Sequence, residues 1–192
     1  MFDLFIQNIS QTIDLSDADI EVFRANLLSK KLKKRQFFVQ EGNNSSYTAY
    51  VTQGCLRTYT IDSYGVEHVF QFAIEGWWVS DMYSFLTGEP AQYNIEALED
   101  CELLLMDKEG SENIMNLVPK FERFMRLLLE KNYVATQRRV NALLGNSAEQ
   151  RYLTFIKTYP KIVQRVPQHM IASYLGITPE TLSRIRKQLK GY

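Results

Sequence analysis

The chain has 192 residues, of which 45% are hydrophobic and 23% charged, with 22 Lys or Arg balanced by 22 Asp or Glu. That length can bury one good core and a smaller second one, and the composition is that of a globular protein without the roughly 20 consecutive apolar residues of a membrane span. Both disorder and membrane insertion are argued against. The N-terminus, MFDLFIQNIS, lacks the basic start and long apolar stretch of a secretory signal, so a cytoplasmic location is expected. Cys55, Cys101, His68 and His169 are too scattered for a disulfide framework or a metal cluster, and no metal ligands are assigned. Both cysteines are expected to be ordinary buried thiols.

The zero net charge hides a segregation. Residues 58–107 contain ten acids and no Lys or Arg, whereas residues 108–192 carry fifteen Lys or Arg against six acids. An acidic front and a basic tail suggest that polyanion binding belongs to the C-terminus.

In chain order, Ser16 is a candidate N-cap with Asp17 and Asp19 in the first turn, and Ile20, Phe23, Leu27 and Leu28 follow at helical spacing. From Leu32 to Asp107 the pattern turns to short strands: Phe37–Gln40, Tyr47–Val51, Leu56–Ile61, Val66–Phe72 and Glu102–Met106. Gly42, Gly54, Gly65, Gly76 and Gly88 fall between them. Many short strands at this spacing indicate a sandwich or barrel. Pro119 suits the first turn of a helix running to Leu144, with Gly145 as its stop. Phe121, Met125, Leu128, Asn132, Ala135, Arg139 and Ala142 along it follow the four- and three-residue steps of a coiled-coil seam, which predicts dimerisation. A helix packed on its own domain is the alternative. Ser147 with Gln150 matches a capping box for a further helix that Tyr159 and Pro160 close.

The run PQHMIASYLGITPETLSRIRKQL, from Pro167 to Leu189, has the layout of a helix-turn-helix. Ile171 and Leu175 are apolar anchors of the first helix, Ala172 permits close approach, and Gly176 supplies the turn. Thr178 caps the second helix, Pro179 opens it, and Leu182, Ile185 and Leu189 form its inward face. Glu180, Thr181, Ser183, Arg184 and Lys187 are left on or near the outward face, where donors and acceptors could meet base edges in a major groove. With Gln168, His169, Thr178 and Pro179 they make up the candidate DNA-binding set. An ordinary amphipathic hairpin with a solvated basic face is the competing view.

Through these residues the chain resembles the Crp/Fnr family of transcription regulators. The likeness is closest over Ser147–Leu189, where IASYLGITPETLSRIRKQL is near the family pattern, and continues from about Leu32 to Asp107 through Gly42, Gly54 and Gly76. It implies an α+β architecture: an N-terminal antiparallel β-roll (a double-stranded β-helix, jelly-roll-like) with flanking helices as a cyclic-nucleotide-binding-like sensor over 1–118, a dimerisation helix over 119–145, and a winged helix-turn-helix over 146–192. It further implies a homodimer on an inverted-repeat operator of double-stranded DNA, with RNA polymerase as a partner and no enzymatic activity. Base readers in the family fall here on Pro179, Glu180 and Arg184, of which Pro179 departs from the usual polar or basic residue.

The effector cassette departs further. A Gly-Glu pair and an Arg with a small hydroxyl residue are replaced by Ser80 and Asp81, then Ala91 and Gln92, and hydroxyls on the long helix by Val134 and Ala135. A buried phosphate needs a cation or convergent donors, so cAMP is not expected to bind in the usual mode, and no cofactor is assigned. Trp77, Trp78, Ser80, Asp81, Tyr83 and Gln92 are the candidate lining of a pocket for some other small-molecule effector, the alternative being that the aromatics are core. Two further function classes compete: a metal-dependent enzyme on a similar roll, which two distant histidines cannot supply, and a nucleotide- or small-molecule-binding module acting through protein partners.

Overall fold

The computed structural model describes residues 2–190. In chain order the elements are α1 (Phe2–Ser10), α2 (Asp17–Asn26), β1 (Leu28–Leu32), β2 (Phe37–Val39), β3 (Tyr47–Gln53), β4 (Leu56–Ile61), β5 (Glu67–Ala73), β6 (Trp78–Val79), α3 (Met82–Thr87), β7 (Asn94–Ala97) and β8 (Cys101–Asp107). They are followed by α4 (Lys108–Leu117), α5 (Lys120–Gly145), α6 (Ala148–Thr158), α7 (Pro160–Arg165), α8 (Gln168–Leu175) and α9 (Pro179–Lys190). Two compact units result, one built from the chain up to Thr58 together with Phe72–Glu130, the other from Tyr59–Gln71 together with the chain from Lys131 onward. Helix α5 runs from one unit into the other, and so do β4 and β5.

The strands form two four-stranded sheets, ordered β1, β8, β3, β6 and β2, β7, β4, β5, and not closed into a barrel. In the first unit, side chains from both sheets meet in one core that includes Leu32, Val39, Ala49, Val51, Leu56, Ile95, Ala97, Leu103 and Leu105. Strand β8 explains why its sequence, CELLLMD, does not alternate. Leu103 and Leu105 face this core, while Leu104 and Met106 face a second cluster with Phe5, Ile9, Phe23, Tyr50, Ile114 and Phe121. A strand buried on both faces has no polar side to show. Phe5 is the hub of the second cluster, with ring centroids 5.5 Å from Phe23 and 5.1 Å from Tyr50 in edge-to-face geometry.

Ser16 is the N-cap of α2, as expected, and with Asp19 it completes a reciprocal capping box that opens the helix. The expected extension of that helix through Leu27 and Leu28 does not occur. Leu27 is already extended and Leu28 opens β1, paired with Leu105 of β8. Ladder bonds to β8 outweigh the helical spacing of two leucines. Among the described residues after α5, every regular element is a helix, so the implied wing has no strand counterpart there.

Candidate nucleic-acid interface

The helices of the second unit are set by local sequence. Ser147 and Gln150 form a reciprocal capping box at the start of α6, and Pro160 occupies the first turn of α7, where a missing N–H costs nothing. Helix α8 ends on Gly176 in the left-handed conformation (φ 65°), whose N–H reaches the Ala172 and Ser173 carbonyls. A Cβ there would approach Leu143 Cδ2 to 3.2 Å, so the turn needs glycine on two counts. Thr178 Oγ1 then accepts from the Thr181 N–H at 3.2 Å, capping α9. Ile171, Ala172, Leu175, Leu182 and Ile185 are buried with Tyr152, Phe155 and Ile162, and α9 packs on α6 and α8.

The opposite face of α9 is open. Pro179, Glu180, Ser183, Arg184 and Lys187 line one continuous shallow hollow, and all five are exposed. Thr178 and Thr181 stand beside it, occupied by the cap. The Glu180 carboxyl is held below its ordinary value by its own backbone N–H and by the Thr178 hydroxyl, so it is ionised at neutral pH. Gln168 and His169 lie at the start of α8, His169 exposed and Gln168 half-buried with its Oε1 lacking a partner among the described residues.

The residues expected along the dimer seam are not on one exposed face. Phe121 is fully buried in its own unit and stacks on Phe124; Met125 packs on the same cluster. Leu128 and Ala142 are half-buried, Asn132 and Ala135 exposed, and Arg139 is turned onto its own unit. Phe121 is thereby removed from any seam by the depth of its own core. The exposed apolar side chains lie one residue later. Leu129 (51% exposed), Tyr133 (64%), Val140 (49%) and Leu143 (40%), with Thr136 between, follow the same four- and three-residue steps. Leu144 beside them is 83% exposed.

The six candidate effector residues do not surround a common cavity. Trp77 packs against the core between the sheets, whereas its neighbour Trp78 turns to Tyr50 and Phe5 on the other side of β3, with centroids 5.5 and 6.0 Å away. The turn that leads into β6 leaves the two side chains on opposite sides of the chain. Asp81 is fully buried and structural, its carboxylate accepting from the backbone amides of Ser84 (2.9 Å), Gln92 (2.7 Å) and Tyr93 (3.0 Å). Ser80 is half-buried, while Tyr83 and Gln92 are exposed. A nearby hollow is lined instead by residues including Asn44, Ser45, Ser84, Phe85 and Lys108. Sequence reasoning passed over Arg57, which precedes the cation-less stretch by one position. It is buried, with Nε and Nη2 on Glu96 Oε2 at 2.9 and 2.6 Å.

Comparison with known proteins is consistent across sequence and fold. Residues 29–117 match the family described as the cyclic nucleotide-binding domain. The fumarate and nitrate reduction regulatory protein of Vibrio cholerae is 22% identical over 197 residues, covering 95% of this chain and 77% of that protein. Among solved structures, the c-di-GMP responsive global regulator CLP of Xanthomonas campestris superposes with a TM-score of 0.73 at 19% identity, covering 92% of each chain. FixK2 of Bradyrhizobium japonicum gives 0.70 at 21% identity, covering 86% of this chain and 85% of that one. At such identities these two structures establish the fold.

Proposed function

We propose that the chain is a transcription regulator of the Crp/Fnr type, that it binds DNA sequence-specifically as a homodimer and that its roll does not take cAMP through the family's phosphate cassette; the cyclic nucleotide-binding domain match and the regulators it resembles support this reading. The observation that carries this is the outward face of α9, where an ionised acceptor (Glu180), a hydroxyl (Ser183) and two cations (Arg184, Lys187) share one exposed strip. An α-helix is about 10–12 Å across with its side chains, which suits a major groove about 12 Å wide. Arg184 offers a bidentate donor pair to guanine, Glu180 accepts from a cytosine amino group, and Lys187 meets phosphate. Pro179 shapes the entry of the helix rather than reading a base, while Gln168 and His169 at the start of α8 face the backbone.

The dimer forms through the exposed side of α5, in the register Leu129, Tyr133, Thr136, Val140 and Leu143. Buried in a seam against a second copy, those side chains lose the water that a monomer leaves on them. Duplex DNA, a second copy of the chain and RNA polymerase are the partners of this regulator. Two features speak against cAMP. The amides of Gln92 and Tyr93 are already taken by the Asp81 carboxylate, and the buried Arg57 is paired with Glu96. An entering phosphate would meet a carboxylate rather than a cation.

Titration of the full chain with labelled random-sequence duplex tests the DNA assignment. Affinity should fall by more than about tenfold between roughly 50 and 200 mM salt as condensed counterions cease to be released. Retention that is absent at low salt, or indifferent to salt, contradicts it.

A further inference from the structure

The connection from β2 to β3, helix α3 and the start of α4 converge, within the first unit, on a hollow of about 300 Å³ that is open to solvent. Hydrogen bonds tie its walls to one another. Ser84 Oγ accepts from the Ser45 N–H at 2.9 Å, the Gly42 N–H donates to Ala91 O at 2.8 Å, and the Ala91 N–H donates to Asn43 O at 2.9 Å. Lys108 Nζ donates to Leu86 O at 2.8 Å, fastening α4 to α3, while Asp81 and Asp107 cap the two helices. The hollow is therefore formed before anything enters it.

Ser45 is the group that calls for a ligand. It lines the hollow and is 7% exposed, yet among the described residues its hydroxyl makes no hydrogen bond and only its amide is engaged. A hydroxyl withdrawn from bulk water costs stability unless something bonds to it. Ser84, buried beside it, accepts through Oγ and keeps its own O–H to give. Around them stand the exposed Asn44, Ser46 and Glu109, and Asp107, whose Oδ1 is taken by the Gly110 N–H at 2.7 Å. Two carboxylates against the single ammonium of Lys108 leave the hollow net negative, and the Asp107 cap already occupies the amino end of α4. An anion is disfavoured on both counts. Carboxylates that accept, an amide and an ammonium that donate, and hydroxyls that do both match the vicinal hydroxyls of a sugar, and the buried Phe85 ring offers an apolar wall to its C–H face. The volume is at the lower end of small-molecule sites, which suits one sugar ring.

We propose that this hollow binds a neutral monosaccharide or cyclic polyol, with Ser45, Ser84 and Glu109 as its polar contacts and Phe85 as the surface its ring lies on. It is distinct from the nucleotide cassette positions Ser80, Asp81, Ala91 and Gln92, none of which lines it. The site stands whether or not the chain reads DNA.

The test titrates the full chain with D-glucose, D-galactose, D-ribose and myo-inositol, and with glucose 6-phosphate as a charged counterpart, while amide resonances are followed by NMR. At least one neutral probe should saturate with a Kd of about 1 mM and move amides within residues 43–47, 84–88 and 107–110. Glucose 6-phosphate should bind no better than glucose. Ser45→Ala and Glu109→Gln should each weaken the neutral probe about tenfold. Without any probe, Ser45→Ala should unfold at the same temperature as the wild type or a higher one, since it removes a buried hydroxyl that nothing bonds. A hydroxyl kept for the fold alone would instead lower the midpoint. No saturable shift with any neutral probe, shifts confined to other residues, tighter binding of glucose 6-phosphate, wild-type affinity in both variants, or a lowered midpoint for Ser45→Ala would each overturn the site. Should Ser45→Ala not fold, Glu109→Gln, on the exposed surface, decides alone.

Discussion

The carboxylate of Asp19 lies 2.7 Å from Lys120 Nζ, joining the start of α2 to the start of α5 within the first unit. The same oxygen accepts from the Ser16 amide and hydroxyl, both at 2.7 Å. Lys120 first, and Ser16 after it, bring the Asp19 carboxyl from 3.8 down to about 2. A carboxyl whose folded value is depressed contributes stability that is complete above its unfolded value and is lost as pH falls through the folded one. The wild type should therefore weaken between pH 4 and pH 2 through this group, measured by urea unfolding at a series of pH values. Asp19→Asn should be less stable near neutral pH, with a flatter profile over that interval. Parallel profiles would contradict the assignment.

On α5, Val140→Glu should weaken the dimer, because the two-fold brings two like charges to one seam position. Ala135→Glu, off that seam, should leave it intact. Sedimentation at micromolar concentration reads the difference: a mass near 22.4 kDa is expected for the first variant and twice that for the second. The reverse pattern would restore the register that runs through Leu128 and Ala135.

Gly176→Ala should cost about 1–2 kcal/mol, combining the strain of a left-handed alanine with the push against Leu143. Thermal unfolding followed by helical circular dichroism measures it, and an unchanged midpoint would mean that the turn relaxes freely.

The helix-turn-helix was legible in the sequence because its determinants are local: the Gly176 turn, the Thr178 cap and the 3.6-residue spacing of Leu182 and Ile185 all lie within a few residues of one another. The capped helices at Ser16 and Ser147 were legible for the same reason. The expected seam and the exposed apolar stripe of α5 differ by one position, since the helix offers apolar side chains along two adjacent stripes and the burial of Phe121 against Phe23 marks the first as partly turned inward. Arg139 fitted the heptad spacing, yet its carbonyl partners at 69, 70 and 174 are distant in sequence, and spacing carries no trace of them. Trp77 and Trp78 read as one aromatic cluster, whereas one packs on the core between the sheets and the other on the cluster of Phe5 and Tyr50. Helix α1, with Phe5 and Ile9 one turn apart, showed an apolar pair too short to distinguish from a strand.

Calorimetry with cAMP should give no saturable heat, since the Asp81 carboxylate occupies the amides of Gln92 and Tyr93. Micromolar binding would mean that this carboxylate is displaced and that cations outside residues 58–107 enter the site.

The most direct measurement is the selection of bound duplexes from a random pool by the wild type, Arg184→Ala and Lys187→Ala proteins. Two copies of α9 related by a two-fold should meet successive major grooves about 34 Å apart, so the wild type should enrich an inverted repeat with half-sites one helical turn apart. Arg184→Ala should cost about 1–3 kcal/mol on that sequence and blur one base pair in each half-site, whereas Lys187→Ala should weaken binding to all sequences and lower the salt slope. Enrichment of no sequence, or of one without two-fold symmetry, would contradict a homodimeric reader of DNA.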